Sequence, residues 1–169
     1  YSTIQDVFTR AEESGEDPFL IVLDEINDPH NLGAIIRTAE CAGAHGVIIP
    51  KRRACGLTGT AAKSSAGAIE TMPVVKVTNI SKTLEDLKEL GLWIAACDMG
   101  GQLYYKADLS GPIAVVIGSE GEGISRLVKE KCDFTVSMPL CGKVNSLNAS
   151  NAAAVIMYEI RRRRDLLDI

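Results

Sequence analysis

Three short stretches of this 169-residue chain place side chains in patterns that can do chemistry. The first is Asp28-Pro29-His30-Asn31-Leu32-Gly33-Ala34-Ile35-Ile36-Arg37, which follows an apolar run and opens a segment of helical spacing. Gly33 and Arg37 stand four apart and share a helix face. Gly33 lets a backbone or ligand approach closely, and Asn31 can cap the helix or orient a substrate. Arg37 offers a planar guanidinium to an anion, although an isolated surface arginine needs no such role.

The second stretch is Gly118-Ser119-Glu120-Gly121-Glu122-Gly123-Ile124-Ser125, directly after the β-branched run Ile113 to Ile117. Three glycines in six residues at a strand end suit a tight loop whose amides face a ligand. The spacing is neither GxGxxG nor GxxxxGK[ST], and Glu120 and Glu122 repel phosphate, so a neutral or cationic ligand fits better than a nucleotide phosphate. The third is Met138-Pro139-Leu140-Cys141-Gly142-Lys143-Val144-Asn145-Ser146-Leu147-Asn148-Ala149-Ser150-Asn151, a loop rich in amides and hydroxyls before an apolar helix. Asn145 or Ser146 is the expected cap there, leaving Asn148 and Asn151 on one side. Asp98, just after the Leu92 to Cys97 strand, can touch a ligand or be an ordinary loop acid.

The elements that must hold these stretches alternate. Strands are expected at 20–23, 46–50, 74–77, 92–97, 113–117 and 134–138, with 101–105 as a small strand or turn. Helices are expected at 4–16 (capped by Ser2 or Thr3), 32–44, 60–68, 84–90, 124–131 and 147–161. Strand and helix in turn predict an α/β fold, a mostly parallel sheet with helices on both faces. No linker-like composition divides the chain, so one domain is expected. The Arg161 to Arg164 run reads as a solvated helix end favoured by the helix dipole, or as a phosphate contact.

Composition removes several alternatives. Apolar residues are 46% and charged residues 24%, which argues against disorder. The formal charge is −4, but residues 1 to 28 carry a net −7, so residues 29 to 169 carry +3 and a local basic surface is compatible with the total. Five scattered cysteines without a CxxC pair suggest a reduced, cytoplasmic protein. His30 and His45 are the only histidines, which disfavours a metal cluster, and no nucleophile elbow is present. No uninterrupted apolar stretch approaches 18 residues, so no membrane span is expected. Aromatic residues are 5%, too few for a base-stacking platform. The missing dinucleotide loop speaks against a nicotinamide-dependent oxidoreductase.

Taken together, NLGAIIRTAECAG, IGSEGEGIS and MPLCGKVNSLNASNAAA resemble, in order, the three motifs of the SpoU/TrmH branch of the SPOUT methyltransferases. The likeness runs from about Leu20 to Tyr158. It implies transfer of a methyl group from S-adenosylmethionine to a ribose 2′-hydroxyl in RNA, without a metal. It also implies a C-terminal trefoil knot, over roughly residues 113–153, and a homodimer whose two chains complete the site. The run KRRACGLTGTAAKSSAGAIETMPVVKV is similar to the subgroup acting on a guanosine of 23S, large-subunit ribosomal RNA. Members of that subgroup commonly carry a small N-terminal RNA-binding domain, which is expected to be missing from this chain that starts at Tyr1.

By the same resemblance, Arg37 activates the ribose hydroxyl and Asn31 supports the substrate site. Glu120 lies near the active centre, and Ser146 and Asn148 form the polar pair of the third motif. The methyl donor would contact Ala96 and Cys97, then Ile117, Gly118 and Gly121, then Met138, Leu140, Ser146 and Leu147. Asn145 departs from the serine common in relatives, which bears on substrate choice more than on the reaction. A guanidinium is a poor base, its pKa exceeding 12, so Arg37 either has its energetics changed by a neighbouring phosphate or acts by positioning and electrostatics. Two further readings stay open: a tRNA-directed enzyme, and a catalytically silent RNA-binding or ribosome-assembly protein.

Overall fold

Alternation along the central strands decides which helix each face receives. The structure, a computed structural model, describes residues 1–51, 56–119 and 121–167. Its strands are β1 (Phe19–Leu23), β2 (Gly46–Pro50), β3 (Val74–Val77), β4 (Trp93–Leu103), β5 (Ile113–Ile117) and β6 (Phe134–Ser137). They form one parallel sheet in the order β3-β2-β1-β5-β4-β6. The helices are α1 (Ile4–Ser14), α2 (Pro29–Ala42), α3 (Gly59–Ser64), α4 (Ile80–Glu89), α5 (Arg126–Glu130) and α6 (Ala149–Leu167).

Every position of β1 and β5 is buried, which is why both read as unbroken apolar runs. Phe19, Ile21 and Leu23 point to one core, with Ile35 of α2, Ala61 of α3 and Ile156 of α6. Leu20 and Val22 point to the other, with Val7 of α1, Leu84 of α4 and Val128 of α5. Each fully buried Leu or Ile contributes about 1.5–3 kcal/mol. Gly33 is the contact that lets α3 close on α2: a Cβ there would lie 2.4 Å from the Ser64 Cβ and 2.5 Å from the Ala61 carbonyl oxygen. The close approach expected at Gly33 is therefore that of a backbone, not of a ligand.

Element starts follow their caps. Thr3 and Asp6 make a reciprocal capping box on α1. Asp28 caps α2, its carboxylate accepting from the His30 amide, and Pro29 occupies the first helical position. Asn31, one of two roles for which was to cap this helix, stands inside the first turn instead. Asn79 starts α4 four residues earlier than the apolar spacing suggests. β4 runs on to Leu103 and absorbs the expected small strand at 101–105, with a bulge between Cys97 and Gln102 where it pairs with β6.

The arginine run corrects its expectation. Arg161 donates to the Ala42 carbonyl and pairs with Glu16, Arg163 donates to the Ala107 and Tyr104 carbonyls, and Arg164 donates to the Asp17 and Gly111 carbonyls. These side chains bind the end of α6 to loops at the amino edge of the sheet, and only Arg162 is exposed. Buried backbone carbonyls need donors, and this helix supplies them. His45 is likewise structural: buried, it accepts from the Phe19 amide through Nδ1 and meets Ser14 Oγ through Nε2 at 2.9 Å. Among the described residues no helix is long and apolar enough to cross a membrane.

Candidate functional site

Because β5, β4 and β6 are parallel neighbours, the β4 bulge and the segments that follow β5 and β6 come together at one edge of the sheet. Residues 98–100, 118–119 with 121–123, and 138–147 therefore meet, although up to 49 residues separate them in sequence. Between them lies a cavity of about 530 Å³, within the ~300–1,000 Å³ usual for small-molecule sites. The carboxyl ends of parallel strands are where such folds hold ligands.

Each wall has a local cause. The β4 bulge carries Asp98, Met99 and Gly100 out of the sheet and into the cavity wall, and Ser137 Oγ fixes it by donating to the Gly101 carbonyl at 2.7 Å. The second wall is made by residues 118–119 and 121–123, with the Gly123 amide donating to the Ser119 carbonyl at 2.9 Å. At Gly118 a Cβ would stand 2.2 Å from the Gly123 carbonyl carbon, so no other residue lets this turn fold back on itself. Asp24 at the end of β1 holds the turn from outside, its carboxylate accepting from the Ser125 amide at 2.8 Å. The third wall is the loop before α6, with Met138, Leu140, Asn145, Ser146 and Leu147 facing the cavity.

Asn148, and not Asn145 or Ser146, opens α6. Its side-chain oxygen accepts from the Ser150 amide at 2.9 Å, because Ala149 is where helical geometry begins. Asn145 and Ser146, expected as caps, are released to line the cavity.

Eight of the nine residues expected around the methyl donor border this cavity: Cys97, Ile117, Gly118, Gly121, Met138, Leu140, Ser146 and Leu147. Ala96 does not; it is fully buried inside the sheet, facing the α1, α4 and α5 core, since alternate strand residues point to opposite faces. Burial pushes the Cys97 thiol up to about 11, with the Asp98 charge adding to it, so Cys97 is an uncharged wall residue and no nucleophile. Asp98, Gly100, Leu103 and Ala152 also face the cavity, and only Asp98 carried a signal in the sequence, as an acid just past a strand end.

Asn31, Arg37 and Asn148 are not part of the cavity lining, and Glu120 lies outside the described residues. Arg37 is exposed on α2, and among the described residues it has no hydrogen-bond or ion-pair partner. The α2 helix packs along α6, whose first turn follows the third loop, so the first motif flanks the cavity without entering it. Among the described residues no cluster of His, Cys, Asp and Glu could hold a metal ion.

The model of the SpoU rRNA methylase family matches residues 18–158. The chain belongs to that family. It is 54% identical over 166 residues to YacO of Bacillus subtilis, a protein named for the TrmH family of tRNA/rRNA methyltransferases, covering 98% of this chain and 67% of that one. Among solved structures, the SpoU methyltransferase AviRb from Streptomyces viridochromogenes superimposes with a TM-score of 0.82 at 32% identity, over 89% of this chain and 61% of its own; it has also been solved with the cofactor AdoMet. A TrmH/SpoU tRNA modifying enzyme of A. aeolicus matches in fold with a TM-score of 0.82 at 23% identity, over 96% of this chain and 86% of its own. The chain spans about two thirds of the length of the curated relatives it matches. The fold is accordingly the family's α/β knot, one of the few exceptions to the rule against threaded connections.

Proposed function

We propose that this protein transfers a methyl group from S-adenosylmethionine to the 2′-hydroxyl of a ribose in RNA. The observation that carries the reading is the cavity at the carboxyl edge of β5, β4 and β6, in a chain 32% identical to a methyltransferase solved with AdoMet. The cavity's chemistry suits that molecule. Ile117, Leu103, Leu140 and Leu147 offer apolar surface to a flat base, the turn at Gly118 and Gly121 offers backbone, and Asp98 and Glu122 offer negative charge to a cation. Cys97, Ile117, Gly118, Gly121, Met138, Leu140, Ser146 and Leu147 would hold it, with Ala96 supporting the floor from within the sheet. When bound, it supplies an electrophilic methyl on a sulfonium.

The chain's own contribution is to position and stabilise the acceptor. A ribose hydroxyl does not ionise unaided near neutral pH, so charge developing on its oxygen needs an electrostatic partner. Arg37 can clamp a neighbouring phosphate in two-pronged fashion and stabilise that oxygen. Asn31, Glu120, Ser146 and Asn148 would orient the ribose. Since Arg37 does not face the cavity of its own protomer, it would serve the cavity of a second copy. The exposed Val155 and Tyr158, three apart on α6, support such a homodimer, apolar side chains at helical spacing being what a second helix covers.

For the RNA, we favour a guanosine of large-subunit ribosomal RNA, on the similarity of the run between Lys51 and Val77 to that subgroup. A tRNA target is the second reading, favoured by the fold match to a tRNA modifying enzyme. Incubating full-length protein with labelled methyl donor and either unmodified ribosomal RNA or unmodified tRNA, then mapping the methylated ribose by mass spectrometry, separates the two. RNA binding with neither methyl transfer nor cofactor binding would favour the catalytically silent reading.

A further inference from the structure

Among the described residues, Asp98 and Glu122 are the two carboxylates on the cavity wall, and they differ in kind. Glu122 is exposed at the tip of a turn. The Asp98 side chain is only 19% exposed, and the β4 bulge aims it inward. Its Oδ1 accepts from the Met99 amide at 2.8 Å. Its Oδ2 lies 3.4 Å from Lys129 Nζ of α5, a lysine 42% exposed. Gly123 faces it so closely that a Cβ there would lie 3.0 Å from Oδ1. A carboxylate accepts about four hydrogen bonds, and these two contacts leave acceptor capacity on a side chain that lines the cavity. A half-exposed lysine at that distance neutralises it weakly.

We propose that Asp98 is a binding residue for the methyl donor, accepting a hydrogen bond from one of its O–H or N–H groups and holding it against the β4 wall. The proposal rests on the reading that this cavity takes S-adenosylmethionine. Three groups of that ligand class have the required chemistry, the vicinal ribose hydroxyls, the exocyclic amino group of the adenine and the ammonium of the amino-acid end. The competing account is that Asp98 merely ties α5 to β4 through Lys129.

Calorimetric titration of the full-length protein with S-adenosylhomocysteine and with 5′-methylthioadenosine, which keeps the ribose and lacks the amino-acid end, tests this. Asp98→Asn keeps an acceptor for the Met99 amide and removes the charge; it is expected to weaken S-adenosylhomocysteine by about tenfold or more. Lys129→Ala, which breaks the ion pair and leaves the carboxylate, is expected to change affinity less than about twofold. Parallel loss for both ligands in Asp98→Asn assigns the nucleoside end, through a ribose hydroxyl or the adenine amino group, and loss for S-adenosylhomocysteine alone assigns the ammonium. Unchanged affinity in Asp98→Asn, or an equal loss in Lys129→Ala, overturns the assignment while the reading of the cavity stands. If the wild-type protein binds neither ligand, the reading and the assignment both fall. Melting temperatures of the unliganded variants identify any loss that comes from unfolding.

Discussion

Arg37 stands exposed on α2 with no partner among the described residues, so removing its guanidinium costs the fold little. Arg37→Ala is expected to lower methyl transfer by about a hundredfold or more while S-adenosylhomocysteine affinity stays within twofold. Transfer near the wild-type rate would remove Arg37 from the reaction. His45 gives a residue-scale prediction of another kind. Burial, with the charge of Arg164 next in weight, lowers it from 6.5 to about 4. Between those values the unfolded chain binds a proton that the folded chain refuses, so stability falls as pH drops from 7 toward 4. The loss at pH 5 is about 2 kcal/mol, and it should shrink in His45→Gln when urea midpoints at pH 7 and pH 5 are compared.

At the scale of elements, what was legible followed from periodicity. The unbroken runs at Phe19–Leu23 and Ile113–Ile117 announce strands buried on both faces, and the small residues after Gly59 announce a helix that can approach closely. Departures arose where a polar side chain or a tertiary contact overrode the apolar spacing. Asn79 starts α4 a turn early, Asn148 takes the cap from Asn145 and Ser146, and the pairing of Gln102 and Leu103 with β6 extends β4. The Arg161, Arg163 and Arg164 contacts were illegible because their acceptors are carbonyls 53 to 147 residues away in sequence. Motif resemblance pointed to eight residues that border the cavity, while strand parity turns the Ala96 side chain to the opposite face of the sheet. Gly118→Ala tests the turn: with a neighbour 2.2 Å from the new Cβ, the loop must shift. We expect a stability loss of about 2 kcal/mol together with loss of S-adenosylhomocysteine binding by calorimetry. A variant that binds normally would show that the turn does not shape the ligand site.

For the whole molecule, the sheet order brings the second and third motifs to one cavity and leaves the first beside it, on α2. A second copy that presents Arg37 reconciles that separation with a single reaction. Placing a charge on the exposed face of α6, as in Val155→Asp with Tyr158→Glu, should yield a monomer by light scattering that still binds S-adenosylhomocysteine but no longer transfers methyl groups. A fully active monomer would mean that one chain suffices.

The fate of the methyl group tests the proposed ribose 2′-O-methylation most directly. With labelled S-adenosylmethionine and unmodified RNA, the full-length protein should place label on a ribose 2′-oxygen, recovered after alkaline hydrolysis as a dinucleotide that resists cleavage and located by mass spectrometry. Label found on a base, or no label on RNA from a protein that binds the cofactor, would contradict it.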